Sequence, residues 1–470
     1  MKKIAGLAVF LAVLILGSYY GTGIVTERTL KKNIALLDQS NGWAFEVAEY
    51  KRGFYRSYAL LNARFHIPAR TFKDSTGQES TQPAVDIALK IPLDIYHGPM
   101  IYADSQWLFG LGYAHSDMTI PETYERQFKE TFTADSTKPH LNLSVFISYL
   151  NNSSILSELT GFKLITMQGK KEFDLLGITS DLQVSAHANH LQGQIILDGM
   201  RFKDGMITAT AGKTNVKYDL NRTKLAFYIG DADVVFPSMV VMNGDQKTFE
   251  VQNLNIHSSS HIQGDLLDYQ FKLTLDTFYN EGKSFSPILL DVSIRNLDAD
   301  TLVKINHQTN HMQQGTEAER HQALLSMLPE LPKLVSKGAQ FAVNELSIGT
   351  PEGGIKGNLL LSLPNAVSDN PFQLIQSIKG DGKLTLSAAV VKKFLNDEAK
   401  RRLQMQSQVA VPAAADVELQ AMAQTDEQLL KLVSSGLLSL EGNDYVIVLK
   451  LAGGQLRVNG KPFNPAMMQF

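Results

Sequence analysis

From residue 43 to about residue 305 apolar and polar residues alternate with a period of two, and no other feature limits the fold so strongly. "LNLSVFISYL" puts Leu141, Leu143, Val145, Ile147 and Tyr149 on one face and Asn142, Ser144 and Ser148 on the other. "FKLTLDTF" sets Phe271, Leu273 and Leu275 against Lys272, Thr274 and Asp276. The same period runs through "AVDIALKIPLDIYH", "GQIILDGMRF" and "ILLDVSIRNL". The breaks carry turn residues: Asp204-Gly205, Asn243-Gly244-Asp245 and Glu281-Gly282. Many short alternating strands with such breaks predict an antiparallel meander. One face of it is apolar and must be covered by a second layer, by curling, or by a greasy ligand.

After about residue 305 the period changes. "EAERHQALLSMLPELPKLVSKGAQF" places leucines near helical spacing, interrupted by Pro329 and Pro332. "NPFQLIQSI" predicts a short helix, and residues 389–408 a charged one. "VAVPAAADVELQAMAQTDEQ" is rich in Ala and Gln, and reads as helix, linker, or both, split at Pro412. "DEQLLKLVSSGLL" predicts a further helix with Gly436 near its end. The organisation expected is a membrane anchor over 1–26, a β-rich exported region over 27–305, and a mixed α/β region over 306–470 ending in a β-hairpin. The expected class is α+β and β-dominated. It has an N-terminal transmembrane helix, then a long curved antiparallel sheet, with helices in the C-terminal third.

The anchor rests on "IAGLAVFLAVLILGSYYGTGIVT", residues 4–26, which carries no charge. Crossing a bilayer takes about 20 apolar residues. The apolar heart, Ile4 to Leu16, is short enough for a signal peptide, but Leu16-Gly17-Ser18 offers a poor cleavage site, so an uncleaved signal-anchor is favoured. Lys2 and Lys3 argue for a cytoplasmic N-terminus, and Arg28, Lys31 and Lys32 argue against it. The usual behaviour of a signal-anchor exports the body, into the periplasm of a two-membrane bacterium. "RTLKKNIALLDQS" follows as a short helix leaving the membrane.

A net charge of −3 supplies no basic field for nucleic acid, and the absence of cysteine removes disulfides, thiolate metal sites and thiol nucleophiles. "LAGGQLRVNGKPFNP" resembles a phosphate loop only superficially. Five residues separate Gly454 from Gly460, Pro462 stands where a hydroxyl is needed, and no helix follows. It predicts a hairpin turning at Gly453-Gly454. His307 and His311 are four apart and could share a helix face, but Gln308 stands where a metalloprotease needs a general base. His257 and His261 lie four apart in a strand-like stretch, about 13 Å from each other. His187 and His190 would point to opposite strand faces. All are expected to be solvated or structural. Asp231/Asp233 and Asp298/Asp300 are carboxylate pairs that suit strand ends and turns. No G-x-S-x-G elbow is present. No catalytic residue, cofactor site or metal site is assigned.

Three stretches carry a family likeness: "YKRGFYRSYA" at 50–59, "IYHGPMIYADSQWLFGLGYA" with His97-Gly98-Pro99, and the C-terminal "SSGLLSLEGNDYVIVLKLAGGQLRVNGKP". With the N-terminal anchor, the chain resembles the YdgA-like family of bacterial proteins of unknown function. The resemblance implies an inner-membrane-anchored envelope protein, dimeric in one reading, and brings no catalytic residues. Locally, Gly53 and Gly98-Pro99 suit turns or bulges, and Arg52 and His97 have polar tips able to tie neighbouring strands. The strand "GGIKGNLLLSLP" and the meander before it also resemble, in architecture, AsmA-like envelope proteins, whose curled sheets form apolar grooves for lipids. The first expectation is therefore a non-enzymatic envelope protein that binds or passes an acyl chain. The second is a dimeric scaffold pairing through an edge strand or the Ala/Gln-rich segment. An envelope hydrolase without a recognisable motif ranks last.

Overall fold

The computed structural model describes residues 2–37, 43–67, 70–73, 79–120, 122–225, 227–312, 329–365, 371–406 and 414–463. For some stretches, 2–15 and 306–312 among them, it describes the backbone alone. The chain divides into two compact units, Met1–Gly205 with Asn215–Arg222, and Met206–Thr214 with Thr223–Phe470.

The first unit opens with α1, Lys2–Leu37, a single helix of 36 residues. At about 1.5 Å per residue it is roughly 54 Å long. The separate short helix expected after the membrane segment is thus the second half of the same rod. No Gly or Pro interrupts the chain between Ile24 and Leu37, and tertiary contacts hold this half in place. The strands that follow are β1 (Trp43–Lys51), β2 (Arg56–Ile67), β3 (Val85–His97) and β4 (Gly112–Thr119). They continue as β5 (His140–Ile147), β6 (Ser153–Ile165), β7 (Lys171–Val184) and β8 (His190–Asp204). Each pairs antiparallel with the next, as the alternation predicts. One helix, α2 (Glu122–Thr131), interrupts the β region where the period of two predicts only strands. Six of the ten residues of its "ETYERQFKET" are the good helix formers Glu, Arg, Gln and Lys. One buried core of this unit lies under α1, where Ile34 joins Ala59, Leu61, Leu93 and Ile95, and a second gathers Ile101, Ala103 and Tyr113. Full burial of each large aliphatic side chain there stabilises the fold by about 1.5–3 kcal/mol.

The second unit repeats the meander with β9 (Tyr228–Asn243), β10 (Gln246–Gln263), β11 (Leu266–Leu275) and β12 (Ile288–Asp298). After α3 (Ala299–Met312) and α4 (Leu331–Val335) come β13 (Gln340–Thr350) and β14 (Gly353–Ser362). Then follow α5 (Pro371–Ser377), β15 (Lys379–Ser387), α6 (Ala388–Gln406) and α7 (Ala414–Ser435). The chain ends with β16 (Asp444–Ala452) and β17 (Gln455–Val458). From β9 to β17 each named strand again pairs antiparallel with the next. The Ala/Gln-rich segment is one helix from Ala414 onward, continuous with the "DEQLLKLVSS" helix rather than separated from it. Most of the leucine-rich run after residue 312 lies outside the described residues. Val391, Leu429, Leu438 and Tyr445 form the buried core here, at the end of the sheet covered by α6 and α7.

The architecture is therefore β-dominated with few helices. Among the described residues no helix is long and apolar enough to cross a membrane, and the side chains of residues 1–15 lie outside that description.

Candidate functional site

The first two quoted family stretches converge on one place, the seat of α1. His97 is 1% exposed, the most buried imidazole among the described residues, and its Nε2 lies 2.9 Å from Ser57 Oγ. Its backbone N–H donates to Tyr55 O. Burial pushes the His97 pKa down, the Tyr19 carbonyl works against that, and the Arg52 charge adds to the lowering. Gly23 of α1 sits on the ring: a Cβ there would come 2.7 Å from His97 Cε1. Gly98, at φ +141°, has Tyr19 packed on it so closely that a Cβ would lie 2.1 Å from the Tyr19 ring. Pro99 O accepts the Tyr149 hydroxyl, and Met100 O accepts the Tyr19 hydroxyl at 2.7 Å. Arg52 reaches Glu27 at 3.2 Å and lies over the Tyr20 ring, while Phe54 stacks on Tyr19 at 5.9 Å. Deeper along the helix, Thr26 donates to Leu111 O at 3.0 Å.

The expectation that Arg52 and His97 tie neighbouring strands is thus half met. His97 joins β3 to β2 through Ser57, but Arg52 joins the β1 end to α1. Sequence spacing could not show this, because the helix partner lies some 25 to 75 residues away. The signal present was a pair of glycines, Gly23 in α1 and Gly98 after His97, each with a ring of the other element packed on it: His97 on Gly23 and Tyr19 on Gly98.

The third stretch closes the last helix of the second unit. Gly453 and Gly454, at φ +59° and +73°, turn β16 into β17 as predicted. Asn459 then donates from Nδ2 to Gly436 O and Leu437 O at 3.0 and 3.1 Å, and its Oδ1 accepts from Val448 N–H at 2.7 Å. Lys461 Nζ reaches Ser435 O at 3.4 Å. The Asn-Gly-Lys-Pro end therefore holds the exit from α7: Lys461 reaches the carbonyl of its last residue, and Asn459 the two carbonyls that follow it. It is a structural lock with no helix to hold a phosphate.

The sheet of the second unit presents a different surface. One cross-strand row runs Val234, Ile256, Leu273, Leu290, Leu346, Gly357, Leu384, Ile447 over the eight strands β9 to β16. A second row beside it runs Phe271, Val292, Val343, Leu359, Gly382, Leu449. Every large side chain in these two rows is half-buried and none is fully buried. The opposite face of the same strands carries Asp233, His257, Lys272, Asp291 and Glu345 in one row. Helix α6 packs on β14, β15 and β16, and α3 and α4 on β12. The apolar face is thus sealed at its β15–β16 end, where Leu386 and Ile447 meet the Val391–Leu429 cluster.

The sequence profile of a family described as "Bacterial protein of unknown function (DUF945)" matches residues 1–466. The chain belongs to that family. No curated protein and no solved structure matches it. The match spans residues of both units.

The remaining polar candidates of this DUF945 protein are spread over both units. His257 lies 2.8 Å from Asp233 on the neighbouring strand, His190 lies 2.8 Å from Asp219, and His261 faces Asp268 at 3.4 Å. His187 sits in a turn at φ +60°. His307 and His311 lie on α3, and their side chains are outside the described residues. Asp298 caps α3 by accepting from Thr301 N–H at 2.8 Å and pairs with Lys337. Burial alone would raise its pKa, and the bonds from Lys337 and Thr301 hold it below the usual carboxylate range. Asp300, its expected partner, is exposed. Among the described residues no three His, Asp or Glu side chains gather as a metal site. A shallow recess of about 530 Å³ lies chiefly on the polar face, lined by Arg295, Asn344, Asn358, Asp381 and Lys383 with Ser293. There Ser293 Oγ meets the Asn344 amide, which is not a base able to activate it.

Proposed function

We propose that this chain is a non-enzymatic envelope protein, held at the bacterial inner membrane by α1, that receives the acyl chain of a lipid on the apolar face of its second unit. The observation that carries this reading is the pair of apolar rows, one continuous over eight strands and the other over six, covered by helix at their β15–β16 end. Eight strands span seven spacings of about 4.8 Å, or about 34 Å. One leaflet of a bilayer supplies about 15 Å of hydrocarbon, so a lipid tail fits within the row. Each methylene moved from water onto such a face gains about 0.8 kcal/mol. Contiguous apolar surface of this extent marks a binding or interaction site. The resemblance to YdgA-like proteins, and in architecture to AsmA-like ones, supports the envelope setting.

The test is extraction of the full-length protein, purified in a mild non-lipid detergent, followed by mass spectrometry. A stoichiometric lipid that is lost on Leu273→Glu or Leu346→Glu supports the proposal. Absence of lipid from protein with an intact fold refutes it.

A second reading, a dimeric scaffold, has its own observation. Along α7 the residues Leu419, Met422, Leu430 and Val433 all point to solvent, at helical spacing. A second copy of the helix would cover that stripe. Sedimentation of the detergent-solubilised chain as a dimer, reverting to monomer on Leu430→Glu, would establish it.

A further inference from the structure

The apolar heart of α1, Ile4 to Leu16, is 13 residues, or about 20 Å of helix. The hydrocarbon core it would have to cross is about 30 Å thick. The missing length falls on residues 17–23, "GSYYGTG", the stretch where the helix enters the first unit.

At that level the unit carries a cluster of exposed apolar and aromatic side chains, with Arg52 and Arg56 lying over the Tyr20 and Tyr96 rings. Phe54, Tyr55, Met100, Tyr102, Trp107 and Phe109 are all exposed, the last three at 57, 59 and 62%. Phe54 stacks on Tyr19, and Met100 holds the Tyr19 hydroxyl, so these residues stand around the helix where the uncharged run loses its apolar character. A recess of about 400 Å³ opens among Tyr19, Phe54, Tyr55, Tyr96, Tyr102 and Trp107. The turn after β5 adds Tyr149 and Leu150, both exposed, with the Tyr149 hydroxyl on Pro99 O.

The rim is built rather than loose. The hairpin Ile101–Ala103/Gln106–Leu108 buries Ile101 and Ala103 and turns Tyr102 outward, beside its cross-strand partner Trp107 with ring centroids 5.0 Å apart. Tyr113 donates to Asp104 in the turn of that hairpin, and burial with this bond pushes its pKa up to about 12. Aromatic side chains with one polar tip, gathered at one level beside an apolar helix, are the composition of a membrane–water interface.

We propose that this aromatic rim is a bilayer-docking surface: its rings enter the outer leaflet's headgroup–acyl boundary and complete the span that α1 leaves short. The proposal rests on α1 being inserted in the membrane, and the experiment separates the two. The full chain carrying Trp43→Phe, in which Trp107 is the one remaining tryptophan, is reconstituted into phosphatidylcholine/phosphatidylglycerol vesicles. Flotation resistant to alkaline carbonate reports insertion of α1. Trp107 emission reports the rim: the expected result is a blue shift, weak quenching by acrylamide, and strong quenching by lipids brominated near the glycerol end of the chain. A second chain, Phe54→Trp with Trp43→Phe and Trp107→Phe, is expected to behave the same way. A chain that floats while Trp107 is freely quenched by acrylamide and untouched by bromolipid overturns the rim and leaves the anchor standing. Shielding from both quenchers assigns the rim to a protein partner and likewise overturns the proposal. A chain that does not float overturns anchor and rim together.

Discussion

The seat of α1 and the apolar face of the second unit use the same kinds of residue to opposite ends. Around α1, glycines let backbones and rings approach until nothing more fits: Gly23 on His97, Gly98 under Tyr19. In the second unit, Gly357 and Gly382 also lie among leucines, but their rows stay half-open along the strands. The quoted family stretches are concentrated at closed places, the helix seat and the α7 cap. The open face carries only alternation. The lesson is that a tight junction needs particular residues, whereas a greasy surface needs only a pattern: the recognisable motifs meet the apolar rows only at their last strand, through Ile447 and Leu449.

The contrast can be broken in descending order of effect. Gly98→Val drives a branched side chain into the Tyr19 ring at a left-handed φ, and should cost about 4 kcal/mol or prevent folding. Denaturant titration of the detergent-solubilised chain measures it, and a cost under 1 kcal/mol would show that the helix seat is not tight.

Leu93→Ala, in the closed core, should cost about 3 kcal/mol, and Leu273→Ala, on the open face, about 1 kcal/mol or less. Equal costs would mean that the face is as well packed as the core, and would remove the ligand proposal.

Asn459→Ala releases the turn after α7 from β16 by removing three hydrogen bonds, and should cost about 2 kcal/mol. A selective gain in amide exchange over the last turn of α7 would localise the loss.

The smallest effect concerns pH. Burial holds His97 in its neutral form with a pKa below the ordinary value, so the unfolded chain binds that proton more readily. Stability should fall as pH drops through about 6.5, and level off once the folded-state value is passed. His97→Asn should flatten that slope, as read from melting temperatures between pH 5 and 8.

Much of the fold was legible because period two and turn residues are local properties. The meander, the hairpin at Gly453-Gly454 and the charged helix after residue 387 all follow from neighbouring residues. What escaped depends on distant partners. The continuity of α1 is held by contacts with residues 50–112, and the helix α2 stands where the surrounding pattern points to strand. His97 looked like a polar tip for strand pairing, and its contact with Gly23 spans a separation in sequence that no local period reports. The apolar rows were foreseen strand by strand, but their alignment across eight strands depends on register, which the bulges near Asp291 and Val343 adjust.

The unbroken course of α1 has a mechanical consequence. A helix that ran loose between bilayer and body would let the body swing through a wide cone, like a buoy on a rope. Here the same rod is bolted along its second half, by Tyr19, Glu27 and Ile34, to the strands beside it. If the first half is inserted as proposed, whatever tilt it takes up is imposed on the first unit as a rigid angle. Under that proposal, the unit's height and heading above the lipid surface become properties of the sequence rather than of chance.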